Sequence, residues 1–225
     1  MREASVKVFQ FSELSQEAKE KAHAEWVKGQ YPYCYDREAR DTIKAFEEEF
    51  GVKVSRWEYS SYSYDFRLDT SSISDEVLEL KGNRARAWFW DNHGDVLLTG
   101  RYYSKFYGTK HAHSKFFFDR VYDGTCPWTG YCLDCFALDP IAHFCFGVEW
   151  NEKEKRRVPS SRKLSVDDSH TVESLLREGL DSLFSSLKAD CEYQESMEAF
   201  AEACEANEYE FTADGEMWTG AREVA

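Results

Sequence analysis

From Thr171 onward, Val172, Leu175, Leu176, Leu180, Leu183, Phe184 and Leu187 recur at spacings of three and four. An α-helix turns once every roughly 3.6 residues, so this stripe gathers on one face and has to be buried against something. The pattern resumes at Met197, Phe200, Ala201 and Cys204. A long amphipathic tract near the C-terminal end therefore obliges the rest of the chain to offer it an apolar surface.

Two further helices are predicted near the N-terminal end. In SQEAKEKAHAEWVKG, Ser15 is placed to cap, Glu17 sits in the first turn where the helix dipole favours a carboxylate, and Gly29 ends the run. After YPYCY, Asp36 is placed to cap a second helix with Ala39, Ile43, Phe46 and Phe50 on one face, closed by Gly51. VKVFQF (Val6 to Phe11) alternates and predicts a short opening strand, and NEYEFTADG a strand and turn near the end.

The middle of the chain changes period. VKVSRWEYSSYSYDFRLDT predicts two strands joined near Ser60 and Ser61, and ISDEVLELKG a short helix. RARAWFWD is read as a strand turning at Asn92-His93-Gly94-Asp95 into VLLTGRYY, and HSKFFFDRVYD as another strand. CFALDPIAHFCF reads as a helix broken or started near Pro140. These elements give an α+β expectation: a central antiparallel sheet of about five or six strands, with the amphipathic N- and C-terminal helices packed on one face. Neither a repeat nor a long linker divides the chain, so residues 1–225 are expected to form a single domain, with an exposed basic loop at about 151–167 carrying Lys153, Lys155, Arg156, Arg157, Arg162 and Lys163.

Composition narrows the function. Of the 225 residues 42% are hydrophobic and 16% aromatic, enough apolar material to offset the entropy of ordering the chain. No stretch approaches the ~20 apolar residues of a membrane span, and MREASVKVFQF lacks the apolar run of a secretory signal, so no membrane association and a cytoplasmic setting are expected. The formal net charge of −14 repels phosphate backbones, which argues against direct nucleic-acid binding and for a basic partner. The aromatic segments WEYSSYSYDF, WFWDN and FFFD contain rings able to stack on bases, but stacking platforms need a basic groove, and the nearby Arg84, Arg86, Arg101 and Lys105 sit in an acidic whole. No glycine-rich phosphate loop, H-E-x-x-H or G-x-S-x-G occurs. A non-enzymatic role is the expectation.

Seven scattered cysteines are an odd number and cannot close a complete disulfide framework, so reduced thiols are expected. In CPWTGYCLDC and the segment after it, Cys126, Cys132 and Cys135, with His143 or Cys145, contain the ligand types for tetrahedral zinc, and His111 and His113 are further candidates. His143 and Cys145 are two apart on an expected helix and point to different faces, so no metal or other cofactor is assigned and zinc stays the alternative. A zinc-stabilised regulatory or nucleic-acid-binding protein, or an enzyme, would be built on this segment. Redox catalysis at Cys132 and Cys135 is disfavoured by Asp134 between them, which works against a lowered thiol pKa.

The other conspicuous feature is acidic. Cys191 to Trp218 contains Glu192, Glu195, Glu198, Glu202, Glu205, Glu208, Glu210, Asp214 and Glu216 with no Lys or Arg. On one helix Glu195, Glu198, Glu202 and Glu205 form a ridge of mutually repelling charge, a hint of selection for a basic partner. With these go Trp57, Tyr59 and Tyr62, read as sheet aromatics able to meet that partner.

FSELSQEAKEKAHAEW near the start and CEANEYEFTADGEMW near the end, with TGYCLD and the helix from Thr171 in the same order between them, resemble a family of small acidic bacteriophage and prophage proteins, some labelled antitoxin-like. YSSYSYDFRLD stands where that family has a glycine-rich hairpin. The resemblance implies a mobile-element accessory protein inside a bacterial host that blocks a host protein or nucleoprotein, such as a CRISPR-type defence complex, or alternatively an antitoxin neutralising a toxin. It implies no catalytic residues.

Overall fold

The computed structural model describes residues 6–29, 36–99, 104–107, 110–113, 118–119, 126–146, 148–151, 156–159 and 169–220. In chain order the elements are β1 (Phe9–Gln10), α1 (Gln16–Gly29), α2 (Asp36–Phe50), β2 (Lys53–Tyr59), β3 (Tyr64–Asp69), α3 (Asp75–Leu78), α4 (Gly82–Leu97), β4 (Leu98–Thr99), β5 (Ser104–Tyr107), β6 (Lys110–His113), β7 (Phe118–Asp119), α5 (Leu133–Phe146), β8 (Val148–Asn151), β9 (Arg156–Pro159), α6 (Val172–Gln194), α7 (Met197–Ala206) and β10 (Glu210–Phe211). The chain divides into two compact units. One comprises Met1–Cys34, Ser60–Tyr62 and Lys188–Ala225, the other Tyr35–Tyr59 and Ser63–Leu187.

The second unit is organised by the apolar stripe of α6. Val172, Leu176, Leu180, Leu183, Phe184 and Leu187 are fully buried, together with Ala39, Phe46, Phe89, Ala137, Leu138 and Ile141 from α2, α4 and α5. Gly179 lets α6 approach α5 closely, since a Cβ there would stand 2.5 Å from the carbonyl oxygen of Ala137. The β2–β3 hairpin closes another side: Trp57, Tyr64 and Phe66 set their rings 6.1, 6.0 and 5.1 Å from that of Phe184. Strict alternation in KVSRWEY would send Val54 and Trp57 to opposite faces. A bulge between Ser55 and Glu58, with Arg56 at φ 51°, resets the register so that Val54, Trp57 and Tyr59 all pack on the core.

The expected central sheet is not formed among the described residues. The strands pair antiparallel only in twos: β1 with β10, β2 with β3, β4 with β7, β5 with β6, and β8 with β9. The cause lies in RARAWFWDNHGD, which belongs to helix α4 rather than to a strand and turn. Ala85, Phe89, His93 and Leu97 recur every four residues and are all buried, so the helical face prevails over the apparent alternation of the aromatics. Without that strand the sheet has no middle: α5 packs against α2 and α4, α7 against α1, and α6 on the small β2–β3 hairpin. The protein remains mixed helix and strand.

Helix α5 runs unbroken through Pro140. Proline has no N–H to give the carbonyl of Phe136, and Phe136 is 42% exposed. Arg156 and Arg157 belong to β9, whereas Lys153, Lys155, Arg162 and Lys163 lie outside the described residues. Among the described residues no helix is long and apolar enough to cross a membrane.

In the first unit, Leu14, Ala18, Ala22, Phe200, Cys204 and Phe211 form a separate small core. Phe200 is its hub, with ring centroids 4.9 Å from Phe11 and 5.0 Å from Trp26. Ser15 caps α1, accepting a hydrogen bond from the Ala18 N–H at 3.3 Å. Ser196 does the same for α7, its hydroxyl accepting from the Ala199 N–H at 3.1 Å. Ser196→Ala should therefore lower the stability of α7 by about 1 kcal/mol. Faster amide exchange at the first turn of α7, with unchanged exchange in α2 and α6, is the expected reading.

Candidate functional site

The acidic residues near the C-terminal end do not make the single ridge that their spacing predicts. Glu195 lies between α6 and α7, because Ser196 caps a new helix and ends any continuous run. Its carbonyl is fixed 2.8 Å from Nε2 of His23 on α1. Glu198, Glu202 and Glu205 remain on α7, all exposed, on the side away from buried Phe200 and Cys204. Glu210 is half-buried in β10, where its carbonyl accepts from the Trp218 N–H at 2.7 Å.

Helix electrostatics make this arrangement costly. Glu198 occupies the first turn, where the dipole favours it, but the last turn of α7 has no basic residue and contains Glu205. Glu208 follows at φ 52°, a left-handed conformation that glycine adopts freely and a glutamate adopts at a penalty of about 1 kcal/mol. Glycine would close the helix equally well. The glutamate instead sets a carboxylate beside Glu205 on a cleft of about 500 Å³ lined also by Gln10, Phe11, Ser12, Ala201, Cys204 and Tyr209. Neither Glu205 nor Glu208 has a cation within ion-pair distance among the described residues.

A second cleft in this unit, about 430 Å³, differs in being neutralised. There Lys21 reaches Asp214 at 3.2 Å and Glu216 at 3.4 Å, and Glu25 is paired with Lys28 at 2.6 Å. Its carboxylates already have cations, whereas Glu205 and Glu208 of the first cleft have none among the described residues. Tyr193 donates to Glu202 at 2.8 Å, and that bond pushes the phenol above its ordinary pKa.

The aromatics expected to join this surface separate. Trp57 and Tyr59 are half-buried on the core of the second unit, and Tyr62, 86% exposed, belongs to the first. The bulge at Arg56 is what turns Trp57 inward, and a positive φ at arginine leaves no mark in sequence.

The cysteine loop is held by Asp134. This fully buried carboxylate accepts from the Trp128 N–H at 2.9 Å, the Thr129 N–H at 2.7 Å, the Thr129 hydroxyl at 2.8 Å and the Thr42 hydroxyl of α2 at 3.0 Å. Cys126 and Cys135 bring their sulfurs to 3.9 Å, and Cys132 is exposed. Burial, with the adjoining Cys135 and Cys132 thiols, pushes Cys126 up to about 12, and burial also raises Cys135. These are protonated thiols at neutral pH, the opposite of an activated nucleophile. His143 lies on the exposed side of α5 and Cys145 in the core. Among the described residues no group of three or more His, Cys, Asp or Glu side chains is arranged to hold a metal ion. The side chains of His111 and His113 lie outside the described ones.

One polar pair has no sequence signal. Nδ1 of His93 on α4 lies 2.8 Å from a carboxylate oxygen of Glu49 on α2, and Nε2 is buried without a hydrogen-bond partner. A histidine oriented by a carboxylate has the form of a general base. The rings of Phe50 and Trp88, 4.7 and 4.8 Å away, enclose it, and no nucleophile bonds to Nε2. It tethers two helices.

No protein-family model matches this chain, and no curated protein or solved structure matches it either.

Proposed function

We propose that this is a non-enzymatic binding protein whose first unit engages a macromolecule with a basic surface through α7 and the cleft beside it. The observation that carries this reading is the pairing of Glu205 and Glu208 over a cleft that also contains Phe11 and Tyr209, without cations among the described residues, at a helix end where both carry an electrostatic or conformational penalty. Glu198 and Glu202 extend the same negative strip along α7. A lysine or arginine entering the cleft would find aromatic walls for its stem and two carboxylates for its head.

The resemblance to mobile-element proteins supplies a setting for this surface. In that setting the protein occupies and blocks a host protein or nucleoprotein whose channel normally receives phosphate backbones, and a defence complex of the CRISPR type is the first partner to test. Charge of this size accelerates such encounters in a salt-dependent way.

Reversal of Glu198, Glu202 and Glu205 to Lys should remove the host complex captured by the native protein while the circular dichroism spectrum stays unchanged. Capture retained by the folded triple variant would contradict the reading.

A further inference from the structure

The acidic reading leaves the cysteine loop unused, yet its geometry is specific. The sulfurs of Cys126 and Cys135 are 3.9 Å apart. A disulfide needs about 2 Å between sulfurs, so closure requires a movement of only about 2 Å. Both ends of the short segment between them are already fixed. The Trp128 and Thr129 N–H groups bind Asp134, and Asp134 directly precedes Cys135. The exposed thiol of Cys132 lies beside them.

We propose that Cys126 and Cys135 form a redox-modification site, a dithiol that closes to a disulfide on reaction with a small-molecule disulfide. One thiolate attacks the reagent RSSR, forming a mixed disulfide and releasing RS⁻. The second thiolate then attacks the protein sulfur of that mixed disulfide, forming the Cys126–Cys135 bond and releasing the other RS⁻. The protein loses two protons and two electrons, and the reagent leaves as two molecules of RSH. Under a reducing poise the pair stays open, and oxidative conditions close it.

The raised pKa values fit a slow, condition-dependent reaction. With few thiolates at neutral pH, the initial rate should rise with pH, approaching tenfold per unit between about pH 7 and about pH 9. Closure would also add a covalent tie beside Trp128, which packs edge-on against Phe46 at 6.1 Å and so reports on the loop by fluorescence.

The test is peptide mapping of the native full chain after incubation with excess glutathione disulfide. Chymotryptic cleavage after Trp128, Tyr131 and Leu133 places Cys126, Cys132 and Cys135 in separate peptides. The expected product is the Cys126 and Cys135 peptides joined, absent from Cys126→Ser and Cys135→Ser and retained in Cys132→Ser. A glutathione adduct confined to Cys132, a dominant Cys132–Cys135 bond, or unmodified thiols would each overturn the proposal. The wild-type map stands alone if either serine variant fails to fold.

Discussion

Asp134→Ala should lower the stability of the second unit by about 4 kcal/mol, a value set by leaving buried donors unsatisfied. Its carboxylate holds two backbone N–H groups and the hydroxyls of Thr129 and Thr42; Asp134 and Thr42 are fully buried, and Trp128 and Thr129 are half-buried. Hydrogen bonds to an ionised acceptor are the strong ones, so the loss exceeds that of a neutral contact. Asp134→Asn keeps one carbonyl acceptor and should recover roughly half of the loss. Urea denaturation followed by tryptophan fluorescence measures both, and an alanine variant within about 1 kcal/mol of wild type would show that the network contributes little.

Gly179→Ala should destabilise the same unit, against the helix-propensity trend. Alanine normally improves a helix interior by about 1 kcal/mol. Here its Cβ would stand 2.5 Å from the Ala137 backbone oxygen and 3.3 Å from the Phe46 ring, so α5 and α6 must move apart. A net loss of about 2 kcal/mol is expected, and Gly179→Val should lose more. Gly94 supplies the control: it also lies within a helix, with nothing within 4 Å of a built Cβ, and Gly94→Ala should stabilise by about 0.5–1 kcal/mol. Opposite signs at Gly179 and Gly94 are the expected result, and equal signs would mean that the α5–α6 approach is looser than described.

These positions show which parts of the molecule were legible in sequence. Helices α1, α2 and α6 follow their stripes, with Ser15 and Gly51 where the sequence places them, while Asp36 is the first residue of α2 rather than its cap and pairs with Arg40. The β2–β3 pairing and its junction after Tyr59 were equally plain. Helix α4 was not, because Trp88, Phe89 and Trp90 give no period of their own. Only Ala85, Phe89, His93 and Leu97 taken together reveal the buried face. Glu195 illustrates a local signal outweighed by a spacing argument: Ser196 followed by Glu198 is an N-terminal signature, and it breaks the acidic run. Asp134 appeared in sequence only as an unfavourable neighbour of thiols. Its partner Thr42 is 92 residues away, so no local pattern marks its role as an anchor.

The clefts of the first unit were beyond sequence for the same reason. Phe11 and Glu205 are brought together by the packing of α7 beside the segment after β1, which depends on the whole small core around Phe200. Charge composition indicated the sign of the surface but not which carboxylates lack partners. Asp214 and Glu216 are taken by Lys21, while Glu205 and Glu208 have no cation within ion-pair distance among the described residues.

The central claim is that this particular strip, rather than net charge in general, recruits a cationic partner. Fluorescence anisotropy with a labelled arginine-rich peptide tests it on three full-length proteins: wild type, the Glu198, Glu202 and Glu205 reversal to Lys, and a control reversing the exposed Glu58, Glu76 and Glu79 of the second unit. The two variants carry the same change in net charge. Affinity that falls with sodium chloride, is lost in the first variant and survives in the control is the predicted result. Equal weakening in both variants, or binding indifferent to salt, would contradict it.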